Sequence, residues 1–108
     1  RMLHRSMLVN AGFDVLGASD GLQALQALGN NAVDLVLTDI EMPNMDGLAL
    51  IRRIRQSPAW RHLPIIVVSQ YGRREDLEKG AEAGADRYVV KSQLDASRLV
   101  AMISELMD

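Results

Sequence analysis

The sequence predicts an α/β fold in which helices cover both faces of a parallel β-sheet. Short apolar segments alternate along the chain with longer segments whose apolar residues recur at helical spacing. The apolar segments hold few polar residues, which is typical of strands buried on both faces of a parallel sheet. Because the chain has 108 residues and is 48% hydrophobic, we expect residues 1–108 to form one domain with its own core.

The first two helices are predicted from apolar spacing and from the residues at their ends. Residues 1–11 fit a helix, and Gly12 stands just past its end, where glycine is favoured. A second helix is expected to begin at an Asp20 cap, with Gln23 three residues later as in a capping box. Its buried face is expected to carry a row of leucines, namely Leu22, Leu25 and Leu28.

Three more helices follow. Asp46 can cap the third, which should end before Pro58 because the residue preceding a proline disfavours helical angles. The fourth, Arg74–Ala83, is expected to be weak because Leu77 is its only large apolar residue, and the last should begin at an Asp95 cap. The apolar faces of the third and last helices are predicted to be Leu48, Ile51, Ile54, Leu99, Val100, Ile103 and Leu106. A solvated face of the third helix is predicted for Arg52, Arg53 and Arg55.

Four strands are predicted between these helices. They cover residues 14–18, 35–38, 65–68 and 88–90. Each of the last three is followed directly by one polar side chain: Asp39 after LVLT, Ser69 after IIVV and Lys91 after YVV. Because ligands of open parallel α/β sheets bind beyond the carboxyl ends of the strands, we expect these three groups to converge at one edge.

An acid, a hydroxyl and an ammonium group at one edge suit the formation of an aspartyl phosphate. Asp39 would attack phosphorus, Lys91 would neutralise one phosphoryl oxygen, and Ser69 would donate to another. A divalent cation would supply the remaining charge compensation. Taken one at a time, the residues have plainer explanations. Asp39 fits a turn or a helix cap, Ser69 fits a strand end, and Lys91 fits a solvated loop.

Residues 33–47, VDLVLTDIEMPNMDG, resemble the phosphoacceptor signature of response regulator receiver domains in two-component systems. The resemblance includes Pro43 and Gly47. Three later features resemble the same family at the expected intervals: Ser69 at its strand end, GAEAGAD at residues 80–86 and YVVK at residues 88–91. The resemblance covers essentially the whole chain.

This resemblance implies a flavodoxin-like, doubly wound parallel sheet of five strands in the order 2-1-3-4-5. It implies that Asp39 is phosphorylated and that Asp39 and the backbone carbonyl of Glu41 bind Mg²⁺. Ser69 and Lys91 would contact the phosphoryl group. Tyr88 would be the aromatic residue whose rotation, together with Ser69, reports the state of the site. Outside the family context, Tyr88 fits a half-buried strand residue whose hydroxyl reaches water.

The sequence departs from the family pattern in two places. Members carry an acidic pair just after the first strand, and those carboxylates hold Mg²⁺. This sequence begins inside the expected first helix, so the first strand and the acidic pair are absent from the sequence given, and we expect the natural protein to have both. Ser92 stands where many members have proline, and this variant resembles receivers attached to chemotaxis-type histidine kinases.

Two functions follow from these observations. The first is a switch that takes a phosphoryl group from a histidine kinase or phosphotransfer domain. Its partner-binding face, from Arg74 to Lys91 with the last helix, would then change for a downstream protein target. Catalysis would be limited to self-catalysed phosphotransfer and slow autodephosphorylation, with no separate substrate. The alternative is a pseudo-receiver that is never phosphorylated and acts as a docking module. A third candidate function, that of a haloacid-dehalogenase-like phosphatase, is disfavoured. Such an enzyme needs a second Asp two positions after the first, where this chain has Glu41.

Composition argues against several other classes of protein. The formal net charge of -2 gives no basis for binding nucleic acid or an anionic membrane. Cysteine is absent, so disulfides and thiolate metal sites are excluded, which suits a cytoplasmic location. Apolar runs such as residues 65–68 are too short to span a bilayer. We expect a monomer or weak dimer with Mg²⁺ as its cofactor.

Overall fold

A computed structural model describes residues 8–42 and 44–107 of the chain. Within those residues it has three strands, β1 (Val36–Asp39), β2 (Ile65–Ser69) and β3 (Arg87–Val90). It also has four α-helices of ten or more residues, α1 (Gly21–Asn30), α2 (Gly47–Gln56), α3 (Arg74–Ala83) and α4 (Ala96–Met107). A short 3₁₀ helix, Lys91–Gln93, follows β3 directly.

The predicted ends of the helices are largely confirmed. The helix predicted over residues 1–11 lies mostly outside the described residues, but residues 8–10 are helical and Gly12 has a φ of 95°. Three helices have the caps that were expected, namely Asp20, Asp46 and Asp95. The carboxylate of each cap accepts a hydrogen bond from a backbone N–H at 2.8–2.9 Å. Helix α2 ends at Gln56, and Ser57 before the proline has an extended backbone, as predicted.

The three strands form one parallel sheet in the order β1-β2-β3. Val36 pairs with Ile65 and Ile66 pairs with Arg87, which places β2 between the other two. All five residues of β2 are buried. The prediction of a parallel sheet with helices on both faces is therefore confirmed.

The strand predicted at residues 14–18 is not present in the described part of the chain. A strand exists only where its backbone pairs with a neighbour. In the order 2-1-3-4-5 the second strand pairs with the first alone, and the sequence given has no segment for that first strand. Without a sheet beside it, Leu16 in this segment is 57% exposed.

The buried face of α1 differs from the prediction at one position. Leu28 is buried and Leu25 partly buried, but Leu22 is 50% exposed. The row of leucines repeats every three residues, and each such step falls about 60° short of a full helical turn. The row therefore drifts around the helix, and at its start the buried position belongs to Gly21 instead.

The core consists of two apolar layers separated by the sheet. Alternate residues of β2 point to opposite faces. Ile65 and Val67 pack on one face with side chains of α1 and α2, whereas Ile66 and Val68 pack on the other with α4. None of the described helices has the length and apolar character needed to cross a membrane.

The prediction that Arg55 lies on a solvated face is wrong. Only 23% of its side chain is exposed, and its guanidinium bonds to four partners at the amino end of the sheet. These partners are the carbonyls of Gly84, Arg61 and Leu63 at 2.9, 2.8 and 2.6 Å and the Asp86 carboxylate at 2.9 Å. Arg55 therefore ties the last turn of α2 to the loops before β2 and β3, because its long stem lets the charged end reach backbone carbonyls.

Candidate functional site

The pairing register brings the three predicted polar residues to one edge of the sheet. Asp39, the last residue of β1, pairs with Val68, so Ser69 lies one position further along β2. Ser69 in turn pairs with Val90, and Lys91 lies one position beyond β3. The predicted convergence of these residues at the carboxyl ends of the strands is confirmed.

A short ion pair at this edge joins Lys91 to Asp39. The Lys91 Nζ donates to Asp39 Oδ2 at 2.7 Å, and 20% of the Asp39 side chain is exposed, against 38% of Lys91. Asp39 Oδ1 accepts no hydrogen bond from the part of the chain that the structure describes. The carboxylate is therefore held by a cation through one oxygen, while its other oxygen is available.

Ser69 and Tyr88 are linked through the backbone of Tyr71. Ser69 is only 1% exposed, and its hydroxyl oxygen accepts a hydrogen bond from the Tyr71 N–H at 3.2 Å. The Tyr88 hydroxyl donates to the Tyr71 carbonyl at 2.7 Å. The predicted half-burial of Tyr88 is confirmed, but its hydroxyl bonds to protein and does not simply reach water. The part that Tyr71 plays in this link was not predicted, because it contributes only backbone atoms to the two hydrogen bonds.

Helix α2 starts directly against the phosphoacceptor candidate. Gly47 N–H donates to the Ile40 carbonyl at 2.7 Å, and a Cβ on Gly47 would overlap the carbonyl oxygen of Asp39. Only glycine lets the helix backbone approach this closely. The Thr38 hydroxyl also donates to that Asp39 carbonyl at 2.9 Å, so the main chain on the carboxyl side of Asp39 is fixed.

The residues that could hold a divalent cation lie at the end of β1 and on the loop that follows it. The described residues contain no group of three His, Cys, Asp or Glu side chains that could hold a metal. The donors expected from the family are the carboxylate of Asp39 and the backbone carbonyl of Glu41, an exposed residue two positions later. Both are hard oxygen donors, and Mg²⁺ is commonly held by one or two carboxylates with water completing its shell. The donor chemistry therefore fits Mg²⁺. Pro43 of the same loop lies outside the described residues.

Two carboxylates beside the site have lowered pKa values. The backbone N–H of Gln23 and then the side-chain amide of Asn44 lower the pKa of Asp20, because both donate to its charged form. At the start of α3, the hydrogen bond with Arg73 lowers the pKa of Asp76, and the same bond raises the pKa of Arg73. Arg73 also lies over the Tyr71 ring, 5.6 Å from its centroid.

Sequence comparison places these features in a known family. The family model described as the response regulator receiver domain matches residues 1–104. The gliding motility regulatory protein of Myxococcus xanthus is 41% identical over 95 residues, which cover 88% of this chain and 12% of that protein. Chemotaxis protein CheY-3 of Vibrio cholerae is 36% identical over 92 residues, which cover 84% of this chain and 71% of that protein.

Solved structures agree with the sequence comparison. The signal receiver domain of a signal transduction histidine kinase from Syntrophus aciditrophicus has a TM-score of 0.88 at 26% identity, covering 98% of this chain and 80% of that one. The receiver domain of a sensor histidine kinase from Pseudomonas aeruginosa, with a magnesium ion coordinated in its active site cleft, has a TM-score of 0.89 at 26% identity, covering 98% and 86%. The chain belongs to the response regulator receiver family of two-component signalling, and its fold is the flavodoxin-like fold of CheY-like receivers.

Proposed function

We propose that the chain is a phosphorylation-controlled switch, in which Asp39 accepts a phosphoryl group from a phosphohistidine of a histidine kinase or phosphotransfer domain. The observation that carries the proposal is the 2.7 Å contact from Lys91 to one oxygen of Asp39 at the carboxyl edge of the sheet. The second carboxylate oxygen has no hydrogen bond within the described residues. This arrangement orients a nucleophile and places a positive charge where phosphate charge would develop.

The proposed reaction exchanges one bond to phosphorus for another. A carboxylate oxygen of Asp39 forms the P–O bond, the N–P bond of the phosphohistidine breaks, and its electron pair returns to the imidazole. Lys91 neutralises one phosphoryl oxygen. The Ser69 hydroxyl uses its oxygen as an acceptor for Tyr71 N–H, so its own proton remains free to donate to another phosphoryl oxygen.

The metal part of the proposal rests on donor chemistry and on a structural relative. Asp39 and the Glu41 carbonyl would hold Mg²⁺, which would supply positive charge against the phosphoryl oxygens when bound. The receiver domain from Pseudomonas aeruginosa carries a magnesium ion in its active site cleft, which supports this assignment. Slow attack of water on the acyl phosphate would return Asp39 to its resting state.

The phosphorylated state would be read on the face from Arg74 to Lys91 and on α4. A phosphoryl group adds charge and acceptor oxygens beside Ser69. Because Ser69 bonds to the N–H and Tyr88 to the carbonyl of the same residue, Tyr71, a shift of the Ser69 hydroxyl that moves the Tyr71 backbone would change the position that the Tyr88 hydroxyl needs. Leu77 on this face is 42% exposed and Tyr71 just before it is 43% exposed, and both would offer apolar contacts to a downstream protein target. We expect the chain to act in the cytoplasm, where its kinase would lie.

Phosphorylation of the full-length natural protein tests this function. With acetyl phosphate and Mg²⁺, intact-mass measurement should show one added phosphoryl group that hydroxylamine removes, and Asp39→Asn should show none. Lys91→Ala should slow the reaction about 100-fold, the loss typical of removing one charge-stabilising donor. Lys79→Ala, which removes an exposed lysine of α3, is the matched control and should react like the wild type.

Two results would contradict the proposal. Equal labelling of Asp39→Asn would show that the acceptor is another residue. No labelling of the wild type, from acetyl phosphate or from a phosphorylated kinase, would favour the pseudo-receiver that acts as a docking module.

A further inference from the structure

We infer that Asp20 and Asn44 are positioning residues for the Mg²⁺ site, because their side-chain hydrogen bond fixes the loop that carries the Glu41 carbonyl. The loop joins β1 to α2, and its described residues, 40–42 and 44–46, are called the β1–α2 loop. The inference rests on the proposed function and extends it to a part of the chain, the start of α1, that carries no ligand. Neither side chain is hydrogen-bonded to Asp39 or Glu41 within the described residues.

The Asp20 carboxylate uses its two oxygens for two separate tasks. Oδ1 accepts from the Gln23 backbone N–H at 2.9 Å and so caps α1. Oδ2 accepts from Asn44 Nδ2 at 2.6 Å, across 24 residues of sequence. Asp20 is only 8% exposed whereas Asn44 is exposed, so the bond between them is partly shielded from water. A cap needs one oxygen, and the second is committed to the β1–α2 loop.

Asn44 provides this contact from a backbone conformation that few residues adopt. Its φ is 65°, in the left-handed region, where asparagine is among the better tolerated residues other than glycine. The residue therefore turns the chain and presents its amide to Asp20 at the same point. Glu41 lies three residues earlier on this loop.

A second contact joins the same two segments independently of that hydrogen bond. A Cβ on Gly21 would lie 2.7 Å from the Met45 Cβ and 2.8 Å from the Met45 carbonyl oxygen, so the start of α1 touches the loop backbone. At the other end of the loop, Gly47 N–H bonds to the Ile40 carbonyl at 2.7 Å. The β1–α2 loop is thus fixed at its end by backbone and at its bend by Asp20 and Asn44.

The geometry of the loop matters because Mg²⁺ tolerates little displacement of its ligands. This ion demands near-octahedral geometry, whereas a backbone carbonyl can move only with its loop. Partners that orient a ligand without touching the metal commonly change metal affinity about 10- to 100-fold when removed. We therefore expect loss of the Asp20–Asn44 bond to weaken metal binding while the chain stays folded.

The test measures Mn²⁺ binding to the full-length protein by water-proton relaxation, with Mg²⁺ as competitor. Asp20→Ser keeps a residue that can cap α1 but is too short to reach Asn44, and Asn44→Gly keeps the left-handed backbone but removes the amide. Each should weaken Mn²⁺ and Mg²⁺ binding about tenfold, and the double variant should be no weaker than either one. Asp95→Ser, the same change at the cap of α4, should bind like the wild type.

The outcomes separate this inference from the proposed function. If Asp20→Ser and Asn44→Gly bind the metal with the same affinity as the wild type, the inference is overturned and the proposed function stands. Additive losses in the double variant would show that the residues do not act as a pair, which also overturns it. Absence of metal binding in the wild type would overturn both. If Asp20→Ser does not fold, Asn44→Gly decides, because it leaves the cap of α1 intact.

Discussion

Helices α2 and α3 are each ten residues long and each follows a strand that ends in a residue of the site, yet the fold anchors them very differently. The large apolar side chains that α2 buries are Leu50, Ile51 and Ile54, each at most 1% exposed. Helix α3 buries only Gly80 and Ala83, and its one large apolar residue, Leu77, is 42% exposed. The prediction of a weakly held fourth helix is therefore confirmed.

The polar contacts of the two helices differ in the same direction. At the end of α2, Arg55 is mostly buried and bonds to four partners in neighbouring loops. At the start of α3, Arg73 pairs with Asp76 at 2.9 Å, but 66% of Arg73 is exposed and both residues belong to the same short segment. The comparison indicates that α2 is held firmly beside Asp39 and that α3 is held by fewer contacts, so under the proposed function α3 is the helix expected to respond.

The largest expected difference between the helices is in core stability. Ile51→Ala should lower the free energy of unfolding by about 3–4 kcal/mol, because it removes a fully buried side chain and leaves a cavity. Leu77→Ala should cost less than about 1 kcal/mol, because water already covers much of that side chain. Urea denaturation of both variants measures this, and equal losses would show that α3 is anchored as firmly as α2.

The next effect concerns the polar anchor of α2. Arg55→Ala should lower the free energy of unfolding by about 2 kcal/mol, because three carbonyls and the Asp86 carboxylate lose a charged donor. Arg53→Ala, on the exposed side of the same helix, should change it by no more than about 0.5 kcal/mol. If the two arginine variants unfold at the same urea concentration, the contacts of Arg55 do not anchor α2.

A phosphoryl mimic should act on α3 and leave α2 unchanged. With Mg²⁺ and beryllofluoride, amides from Arg74 to Lys91 should change their hydrogen-exchange rates about tenfold, which corresponds to a coupling of about 1.4 kcal/mol. The amides of α2 should exchange at the same rate with and without the mimic. Changes confined to α1, with none from Arg74 to Lys91, would contradict the proposed switch surface.

The smallest effect is the pH response of the first turn of α3. Because the pKa of Asp76 is lowered in the folded chain, its pairing with Arg73 stabilises this turn above the unfolded value of 3.8. That stability is lost as pH falls through the lower folded pKa. The effect should be small, since the Arg73 side chain is 66% exposed and water screens the pair, although Asp76 is only 15% exposed. An NMR titration of the first-turn amides should follow this transition in the wild type. A transition that persists in Asp76→Asn must come from another group.

The strand ends were predictable because burial and chain direction determine them together. A β-branched strand such as Ile65–Ser69 must be buried, and parallel strands place their last residues at one edge, so Asp39, Ser69 and Lys91 could be grouped without coordinates. The strand at residues 14–18 was predicted wrongly because a strand depends on a partner as well as on its own sequence. Apolar alternation alone says nothing about whether that partner is present.

Contacts between distant residues could not be predicted from local patterns. The bond between Asp20 and Asn44 depends on how α1 packs beside the β1–α2 loop, and each residue alone fits a cap or a turn. Arg55 was predicted to be solvated because a charged residue at the edge of an apolar row usually is. Its partners are mainly backbone carbonyls, which carry no signal in the sequence.

The complete burial of β2 has a consequence for how the chain reaches its native state. Each neighbouring strand joins β2 only through a helical crossover, so both pairings require long loops to close first, which makes parallel sheets slow to form. Until then the uncharged, β-branched run at residues 65–68 is without partners and can associate with the same run in another molecule. The yield of refolding should therefore fall as protein concentration rises, although the native state itself hides this strand from solvent.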